Sequence, residues 1–299
     1  MMSNIMLAPP LRLILTGECN GKCFFCHHEG CSSIHENMPE WILEECIEAS
    51  KELEIERISL TGGEPTIRHD ISNIICKIKR ELPEVELSIT TNGLKITEID
   101  KAAIKALDNI NLSIISFDES VYNKYQKVNP NKSLNYLIDY KKKTTINIVI
   151  VEENKNEIID IVNKCLGYGY AVDLMFELIS DDISIQKEVI KELVINYGMF
   201  NICYSSTPVM ALCCDPNVKL RIKTPRVSKI IKRTICDGCI YYNECPEKVC
   251  SLRVYPNGVV SPCLNGYKTS NEARVKDKIV SLYSKLMVDM DSLYSTFLY

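Results

Sequence analysis

The sequence predicts an α/β fold built as an open, partial (β/α)6 barrel. Short apolar runs alternate with amphipathic helical patterns about six times between residues 11 and 194. Continuous apolar strands separated by such helices are typical of a parallel sheet whose outer face is covered. Cysteine-rich or glycine-rich loops follow several of these strands, as expected where the carboxyl ends of strands carry the chemistry. Six units suit an open barrel better than a closed one of eight strands.

The elements are predicted in chain order from periodicity. Strand-like runs lie at 11–16, 57–60, 85–90, 110–116, 145–151 and 171–178. The first helix starts after Pro39 and places Ile42, Cys46 and Leu53 on one face. Further helices are predicted at 70–82 and around 98–107, 133–142, 155–165 and 183–194.

Composition and charge narrow the possible classes of protein. The 299 residues allow one large domain with an extension, and we predict a barrel over 1–205 and a C-terminal region over 206–299. A formal charge of −4 does not show the excess of positive charge that is typical of proteins that bind nucleic acid or an anionic membrane. The start, MMSNIMLAPP, lacks the features of a signal peptide, and no apolar run is long enough to span a membrane. A cytoplasmic location is expected.

Fifteen cysteines are unusual in such a chain. The cytosol keeps thiols reduced, so clustered cysteines there more often bind metal or take part in catalysis. Two groups stand out by their spacing, near the start and near the end of the chain. They are Cys19, Cys23 and Cys26, and then Cys236, Cys239, Cys245, Cys250 and Cys263. Most of the other seven are expected to be small buried hydrophobic residues.

The first cysteine group directly follows the first strand. Three thiolates can bind three irons of a four-iron cubane and leave the fourth iron without a protein ligand. Catalytic zinc sites follow the same logic, because their open coordination position is the one that takes part in the reaction. A zinc site with His27 or His28 as a fourth ligand is the alternative.

Cys19-x3-Cys23-x2-Cys26 resembles the cluster motif of the radical S-adenosylmethionine (SAM) superfamily. Phe25 before the last cysteine, SLTGGEP at 59–65, TTNG at 90–93 and NLSIISFD at 111–118 resemble further motifs of that family. The resemblance implies a TIM-like partial barrel with a 4Fe-4S cluster and SAM. It also implies an electron donor such as flavodoxin or ferredoxin, and a 5′-deoxyadenosyl radical that abstracts hydrogen from the substrate.

The same resemblance assigns cofactor-binding residues. Gly62, Gly63 and Glu64 would lie along the methionine moiety of SAM. Phe25 would lie beside the adenine, and Ser113 near the ribose or the amino group. An ordinary strand serine is the alternative for Ser113. The sequence does not single out a catalytic acid or base.

Within the superfamily, the chain is most similar to the GTP 3′,8-cyclase group (molybdenum cofactor biosynthesis protein A). Arg12 and Arg253 match positions that grip GTP in that family, so they are predicted to bind an anionic group of the substrate. Ser59, Thr145 and Ser251 stand where the family carries cations, and the family's terminal glycine pair is absent. A triphosphate is usually met by several Lys or Arg donors, so we expect the substrate not to be GTP, and a GTP 3′,8-cyclase is kept as an alternative function.

The C-terminal cysteines resemble the auxiliary-cluster extensions called SPASM or twitch. Four of the five are predicted to hold a second 4Fe-4S cluster, which would make this region a C-terminal iron–sulfur extension. A structural zinc site is the alternative, since CxxC pairs commonly bind zinc. Cys213 and Cys214 are adjacent, but TPVMALCCDPN is equally typical of a strand leading into a turn.

Three functions remain open from the sequence. The first is a radical SAM enzyme that acts on a nucleotide- or sugar-like small molecule in a biosynthetic pathway. The second is a radical SAM maturase of a ribosomal peptide, and the third is a non-catalytic iron–sulfur or zinc protein. No domain for gripping a leader peptide precedes residue 10, which favours the first.

Overall fold

Six parallel strands form the centre of the sheet and follow one another in chain order. The computed structural model describes residues 9–30, 35–127, 129–176, 183–203, 210–223, 234–237, 239–240, 251–264, 269 and 273–297. The six strands are β1 (Leu11–Ile14), β2 (Arg57–Thr61), β3 (Glu86–Thr91), β4 (Asn109–Ser113), β5 (Thr144–Ile150) and β6 (Ala171–Phe176). The predicted series of strand–helix units is confirmed.

Helices connect these strands and cover one face of the sheet. They are α1 (Glu40–Glu52), α2 (Ile71–Glu81), α3 (Lys101–Ala106), α4 (Glu119–Tyr125), α5 (Pro130–Leu137) and α6 (Ile158–Gly167), with α7 (Ile183–Tyr197) after β6. Their apolar faces share one core with the strands, in which Ile42, Ile75 and Leu13 are fully buried. Within the described part of the chain, no helix has the length and apolar character needed to cross a membrane.

Two helical segments differ from the prediction, each because of a capping residue. α5 begins at Pro130 because the Asn129 side chain accepts a hydrogen bond from the first turn, and proline is favoured at a first helical position. It ends at Leu137 and continues as a 3-10 helix, Ile138–Lys143. α4 was not predicted, since seven residues are too few for a clear period; its signal is Asp118, whose side chain accepts two backbone hydrogen bonds of the first turn.

The strands have two chemically different faces. Leu11 and Leu13 of β1 belong to the core beneath the helices, whereas Arg12 between them points to the opposite side. β6 repeats the pattern, because Val172 and Leu174 are in the core and Asp173 is not. The face opposite the helices is called the concave face below, and it carries the polar strand residues.

Strands from the C-terminal third extend the same sheet at both edges. They are β7 (Phe200–Cys203), β8 (Met210–Cys213), β9 (Leu220–Lys223), β10 (Leu252–Val254) and β11 (Val260–Ser261). β9 runs parallel to β6 and leads to antiparallel β8 and β7, while β10 runs parallel to β1 and pairs with antiparallel β11. β11 and β7 are the two edges of the described sheet, which is therefore an open barrel, as predicted.

The C-terminal region also covers the first helix. α8 (Val275–Phe297) packs along α1, and Arg274 and Lys276 form ion pairs with Glu45 and Glu52 of α1. The predicted division into 1–205 and 206–299 stays a prediction.

Candidate functional site

The cysteine loop leaves β1 and is fixed to the glycine-rich loop that follows β2. Gly63 N donates to Thr16 O at 2.7 Å, and Glu64 N donates to Glu18 O at 2.8 Å. A Cβ on Gly63 would lie 2.0 Å from the carbonyl oxygen of Glu18, and one on Gly62 would lie 2.3 Å from that of Thr16. Gly62 also has a φ of 146°, which disfavours any side chain. The two glycines are therefore required for the close approach of these loops.

The three cysteine side chains of this loop are partly accessible thiols. Cys19 is exposed, and Cys23 and Cys26 are half-buried. The backbone N–H groups of Gly21 and His28 donate to Cys19 Sγ and Cys26 Sγ, each at 3.3 Å. Burial, and then the neighbouring thiols Cys26 and Cys19, raise the pKa of Cys23 to about 12. The raised pKa values favour the protonated form of these thiols as long as no cation is bound.

The donor set fits an iron–sulfur cluster better than a single metal ion. Within the described ranges, no three His, Cys, Asp or Glu side chains converge on a point that could hold one metal ion. In a cubane each thiolate binds a different iron, so three cysteines need not converge. Coordination would also deprotonate the thiols, whose pKa values are raised here mainly by burial. Cys19, Cys23 and Cys26 are the residues that would hold such a cluster.

Glu64 joins the glycine-rich loop to the loop after β3. Its buried carboxylate accepts from Thr66 Oγ1 and Thr91 Oγ1, both at 2.6 Å, and from Asn92 N at 2.7 Å. Asn92 Nδ2 donates in turn to Asn20 Oδ1, inside the cysteine loop, at 2.7 Å. This network, which the sequence analysis missed, sets the relative positions of three strand-end loops. The Asn of TTNG, following a strand end, was its sequence signal.

Phe25 and Ser113 both lie near α4. Phe25 packs on a small apolar cluster that contains Tyr125 and Val149, separate from the main core. Ser113 ends β4 and is half-buried, and its carbonyl accepts from Gln126 Nε2 at 3.2 Å. The SAM-binding roles of Phe25, Gly62, Gly63, Glu64 and Ser113 stay predictions.

Arg12 and Arg253 meet on the concave face. They are paired in register between β1 and β10, and both contact the buried carboxylate of Glu29, which follows the cysteines. Arg12 Nη2 lies 2.6 Å from Glu29 Oε1, and Arg253 Nε lies 3.0 Å from Oε2. Burial alone would raise the pKa of Glu29, but the two guanidinium groups outweigh it and lower that pKa to about 2. Glu29 was not identified from the sequence.

A second charged cluster on the concave face was also missed. Asp173 of β6 is 2% exposed, and its carboxylate is bridged by Arg221 and Lys223 of β9. The signal was the alternation in LRIK, where each apolar residue precedes a cation, beside an acid within an apolar strand. LRIK does not stand out as a strand in the sequence, because its four residues are bounded by no clear helix.

The C-terminal cysteines are described only in part. Cys236, Cys239 and Cys263 are half-buried, and Cys239 N donates to the carbonyl of Cys236 in a tight turn. Cys245 and Cys250 lie outside the described residues. The auxiliary cluster therefore stays a prediction.

Comparisons with known proteins agree with this site. The model of the family described as "Radical SAM superfamily" matches residues 13–165, about half of the chain. A probable GTP 3′,8-cyclase of Thermococcus kodakarensis is 35% identical over 173 residues, which are 55% of each chain. The GTP 3′,8-cyclase of Clostridium perfringens strain SM101 is 31% identical over 179 residues, 56% of this chain and 54% of the relative. The chain thus spans about half the length of the curated relatives it matches.

Solved structures share the fold at low sequence identity. Streptococcus suis SuiB bound to the precursor peptide SuiA superposes with a TM-score of 0.63 and 19% identity, over 93% of this chain and 66% of SuiB. The anSMEcpe protein with bound AdoMet superposes with a TM-score of 0.59 and 16% identity, over 92% of this chain and 84% of that one. The motifs, the fold and the family match confirm the resemblance that the sequence analysis found: this chain belongs to the radical SAM superfamily, whose enzymes use a 4Fe-4S cluster and SAM.

Proposed function

We propose that this radical SAM enzyme acts on a small, anionic, nucleotide- or sugar-like biosynthetic substrate that is bound on the concave face by Arg12 and Arg253. One observation carries the proposal, namely the two guanidinium groups that lie side by side on this face beside the cysteine loop. Arg12 and Arg253 are paired in register and both contact the carboxylate of Glu29. A guanidinium offers paired donors to a phosphate or carboxylate.

Arg12 has room for such a group. Its side chain is 26% exposed, and its contact with Glu29 uses Nη2. Its Nε is buried and has no hydrogen-bond partner within the described residues. A buried donor left without an acceptor is costly, so an incoming oxyanion would gain from meeting it.

The cysteine loop supplies the chemistry of the superfamily. When bound, the cluster and SAM provide a 5′-deoxyadenosyl radical that abstracts hydrogen from the substrate. The protein binds and orients the cofactor and the substrate and excludes water, as is usual for cofactor enzymes. Gly62 and Gly63 hold the glycine-rich loop against the cysteine loop, and Glu64 fixes both to the loop after β3. We propose flavodoxin or ferredoxin as the reductant.

Charge counting favours a small anion over a triphosphate. Ser59 lies beside Arg12 in register, and Thr145 lies on β5, so neither strand adds a cation at these positions. On this face Arg12 and Arg253 contact Glu29, and Arg221 and Lys223 contact Asp173. Each pair of cations already holds a carboxylate, so a substrate with one or two negative charges fits these groups better than a triphosphate does.

Two other functions have support from particular observations. The relatives named GTP 3′,8-cyclase favour a cyclase of the same kind. The fold shared with SuiB, which was solved with a precursor peptide, is compatible with a peptide maturase. A non-catalytic protein on the same fold is disfavoured, since all three cysteines of the cluster motif and both glycines of GGEP are present.

The test is to measure 5′-deoxyadenosine formed by the reduced, iron-loaded enzyme with SAM. Sugar phosphates, nucleoside monophosphates and sugar acids should be compared with GTP and with short peptides. At least one small anion should stimulate 5′-deoxyadenosine formation. Arg12→Lys, which keeps a positive charge beside Glu29 but removes the paired donors, should weaken the stimulation and leave uncoupled SAM cleavage. Stimulation by peptides alone, or by GTP alone, would replace the proposal with one of the other two functions.

A further inference from the structure

The charged cluster on β6 and β9 has features of a binding site. Asp173 is paired in register with Arg221, and Lys223 lies two residues further along β9. Lys223 Nζ lies 2.9 Å from Asp173 Oδ2, and Arg221 Nε donates to Oδ1. Two cations thus share one buried carboxylate, and the cluster carries one surplus positive charge.

The two cations keep part of their surface open. The Arg221 side chain is 36% exposed and that of Lys223 is 25% exposed, while the Asp173 side chain is 2% exposed. The hydrogen bond from Arg221 uses Nε, which leaves the outer edge of the guanidinium available. The carboxylate therefore holds the two cations in place without consuming all of their donors.

Asn147 supplies an independent observation beside this cluster. It is paired with Asp173 in register on one side and with Ser113 on the other. The residue is only 7% exposed, and its Oδ1 is buried without a hydrogen-bond partner within the described residues. Buried acceptors normally have partners, so this oxygen calls for a donor such as a ligand hydroxyl or amino group.

These groups form one row across four neighbouring strands. Ser113, Asn147, Asp173 and Arg221 occupy paired positions on β4, β5, β6 and β9, all on the concave face. The row begins at a predicted SAM-binding residue, Ser113, and ends at the surplus cations. A substrate lying along this row would have one end next to Ser113, on the predicted cofactor-binding side, and its charged end at β9.

We propose that Arg221, Lys223 and Asn147 form a second substrate-binding subsite, which binds a phosphate or carboxylate that lies next to a hydroxyl or amino group. The inference rests on the proposed function, because it concerns the same concave face. The inference adds that the substrate is bound by Arg221 and Lys223 of β9 as well as by Arg12. Asp173 acts as a positioning residue that holds both cations against β6.

A structural ion triad that only joins β9 to β6 is the competing explanation. Such a triad would explain the contacts of Asp173, but it would leave the unpartnered Asn147 Oδ1 unexplained. It also predicts that variants of Arg221 and Lys223 change stability without changing the binding of any anion. Binding and unfolding must therefore be measured on the same variants.

The experiment is calorimetric titration of the iron-loaded enzyme with SAM bound. The probes are ribose 5-phosphate and gluconate, which carry hydroxyls, and sulfate and acetate, which do not. At least one hydroxylated probe should bind the wild-type enzyme. The same probe should bind the variants Arg221→Gln and Lys223→Met at least about tenfold more weakly. The matched control is Lys219→Met, which removes a charge from an exposed position next to β9 and should bind normally.

Asn147→Leu separates the two parts of the subsite. It should weaken binding of the hydroxylated probe severalfold and leave binding of the simple anion unchanged, because only the former offers a donor to Oδ1. The stronger of the two hydroxylated probes identifies the charged group as phosphate or carboxylate.

Three results would overturn the inference. The first is that no probe binds the wild-type enzyme. The second is that a probe binds the wild type and Arg221→Gln equally, although the variant has a lower melting temperature. The third is that only Arg12→Gln, and none of the β9 variants, loses binding. The proposed function fails separately, if wild-type enzyme with SAM and reductant never forms 5′-deoxyadenosine in response to an anion. Binding and SAM cleavage are independent measurements, so the two failures can be told apart.

Discussion

Arg12 and Arg253 are separated by most of the chain, yet they lie side by side on parallel strands and hold the same carboxylate, that of Glu29. Tyr255 adds a hydrogen bond from its hydroxyl to the carbonyl of Glu29 at 2.8 Å. Glu29 follows Cys26 by three residues, so this contact ties the cysteine loop to both the first and the last parallel strand. The C-terminal region thereby helps to position the cluster loop.

Glu29→Gln should destabilise the protein markedly. Removing the charge leaves two guanidinium groups around a neutral amide, and breaking a buried pair costs roughly 3–5 kcal/mol. The lowered pKa of Glu29, about 2, corresponds to a loss of similar size. Chemical denaturation should show a fall of about 3 kcal/mol in the free energy of unfolding.

The control is Glu81→Gln, since Glu81 pairs with Lys51 at the surface and its loss should leave the free energy of unfolding almost unchanged. The pH dependence adds a second check. The folded pKa of Glu29 lies below its ordinary value near 4.5, so its contribution is present above that pH and is lost as the pH falls towards about 2. Equal stability of wild type and Glu29→Gln at pH 7 would contradict the role given to this contact.

Much of the fold could be predicted because its signals are local. The isoleucine spacing of α2 indicates a buried helix face. The glycine pair at 62–63 indicates that two backbone segments approach each other closely. The partners of Arg12 could not be predicted, because they depend on strand order. Only the register of β1 with β10 brings Arg253 to Arg12, and only the turn after Cys26 brings in Glu29.

The cluster on β9 shows the same limit. Periodicity reveals that Arg221 and Lys223 share a face, but not that β9 pairs with β6 rather than with β7. Asp173 alone is an acid in an apolar strand, and without its partners it indicates no ligand. The expected anion-binding residues, Arg12 and Arg253, came from family resemblance, which could not point to positions outside the family's pattern.

Gly63→Ala should disrupt the cysteine loop. The new Cβ would lie 2.0 Å from Glu18 O and 2.5 Å from Glu18 C, so backbone atoms rather than a flexible side chain must move. We expect the iron content after anaerobic reconstitution to fall, and SAM to bind about tenfold or more weakly, for a loss of roughly 1.4 kcal/mol or more. Iron analysis and calorimetry measure the two effects.

Gly167→Ala is the matched control. Gly167 ends α6, and a Cβ there would meet nothing within 4 Å, so iron content and SAM binding should stay at wild-type levels. Normal SAM affinity in Gly63→Ala would show that the two loops can separate without harm to the site.

Iron counts should separate two clusters. Wild-type protein reconstituted anaerobically is expected to bind about eight irons, four at Cys19, Cys23 and Cys26 and four in the C-terminal region. The triple Cys→Ala variant of those three residues should keep about four irons and lose all formation of 5′-deoxyadenosine. Cys214→Ala, at an exposed cysteine outside both groups, should change neither. About four irons with one tightly bound zinc in the wild type would make the C-terminal site structural.

GTP should be a poor substrate for this enzyme. By resemblance to the GTP 3′,8-cyclase group, Ser59, Thr145 and Ser251 stand where a GTP cyclase is expected to carry cations, and Ser251 is buried with its hydroxyl unpartnered within the described residues. Each missing charge-assisted hydrogen bond should cost roughly 1.5–3 kcal/mol, and about 1.4 kcal/mol is a factor of ten in affinity. The reduced enzyme with SAM and GTP should therefore form 5′-deoxyadenosine without a cyclised nucleotide.

As the matched gain-of-function variant, Ser59→Arg places a guanidinium beside Arg12 and should strengthen GTP binding by about tenfold. Cyclisation of GTP by the wild type at a rate of about 1 per second, within the range of ordinary enzymes, would contradict this prediction.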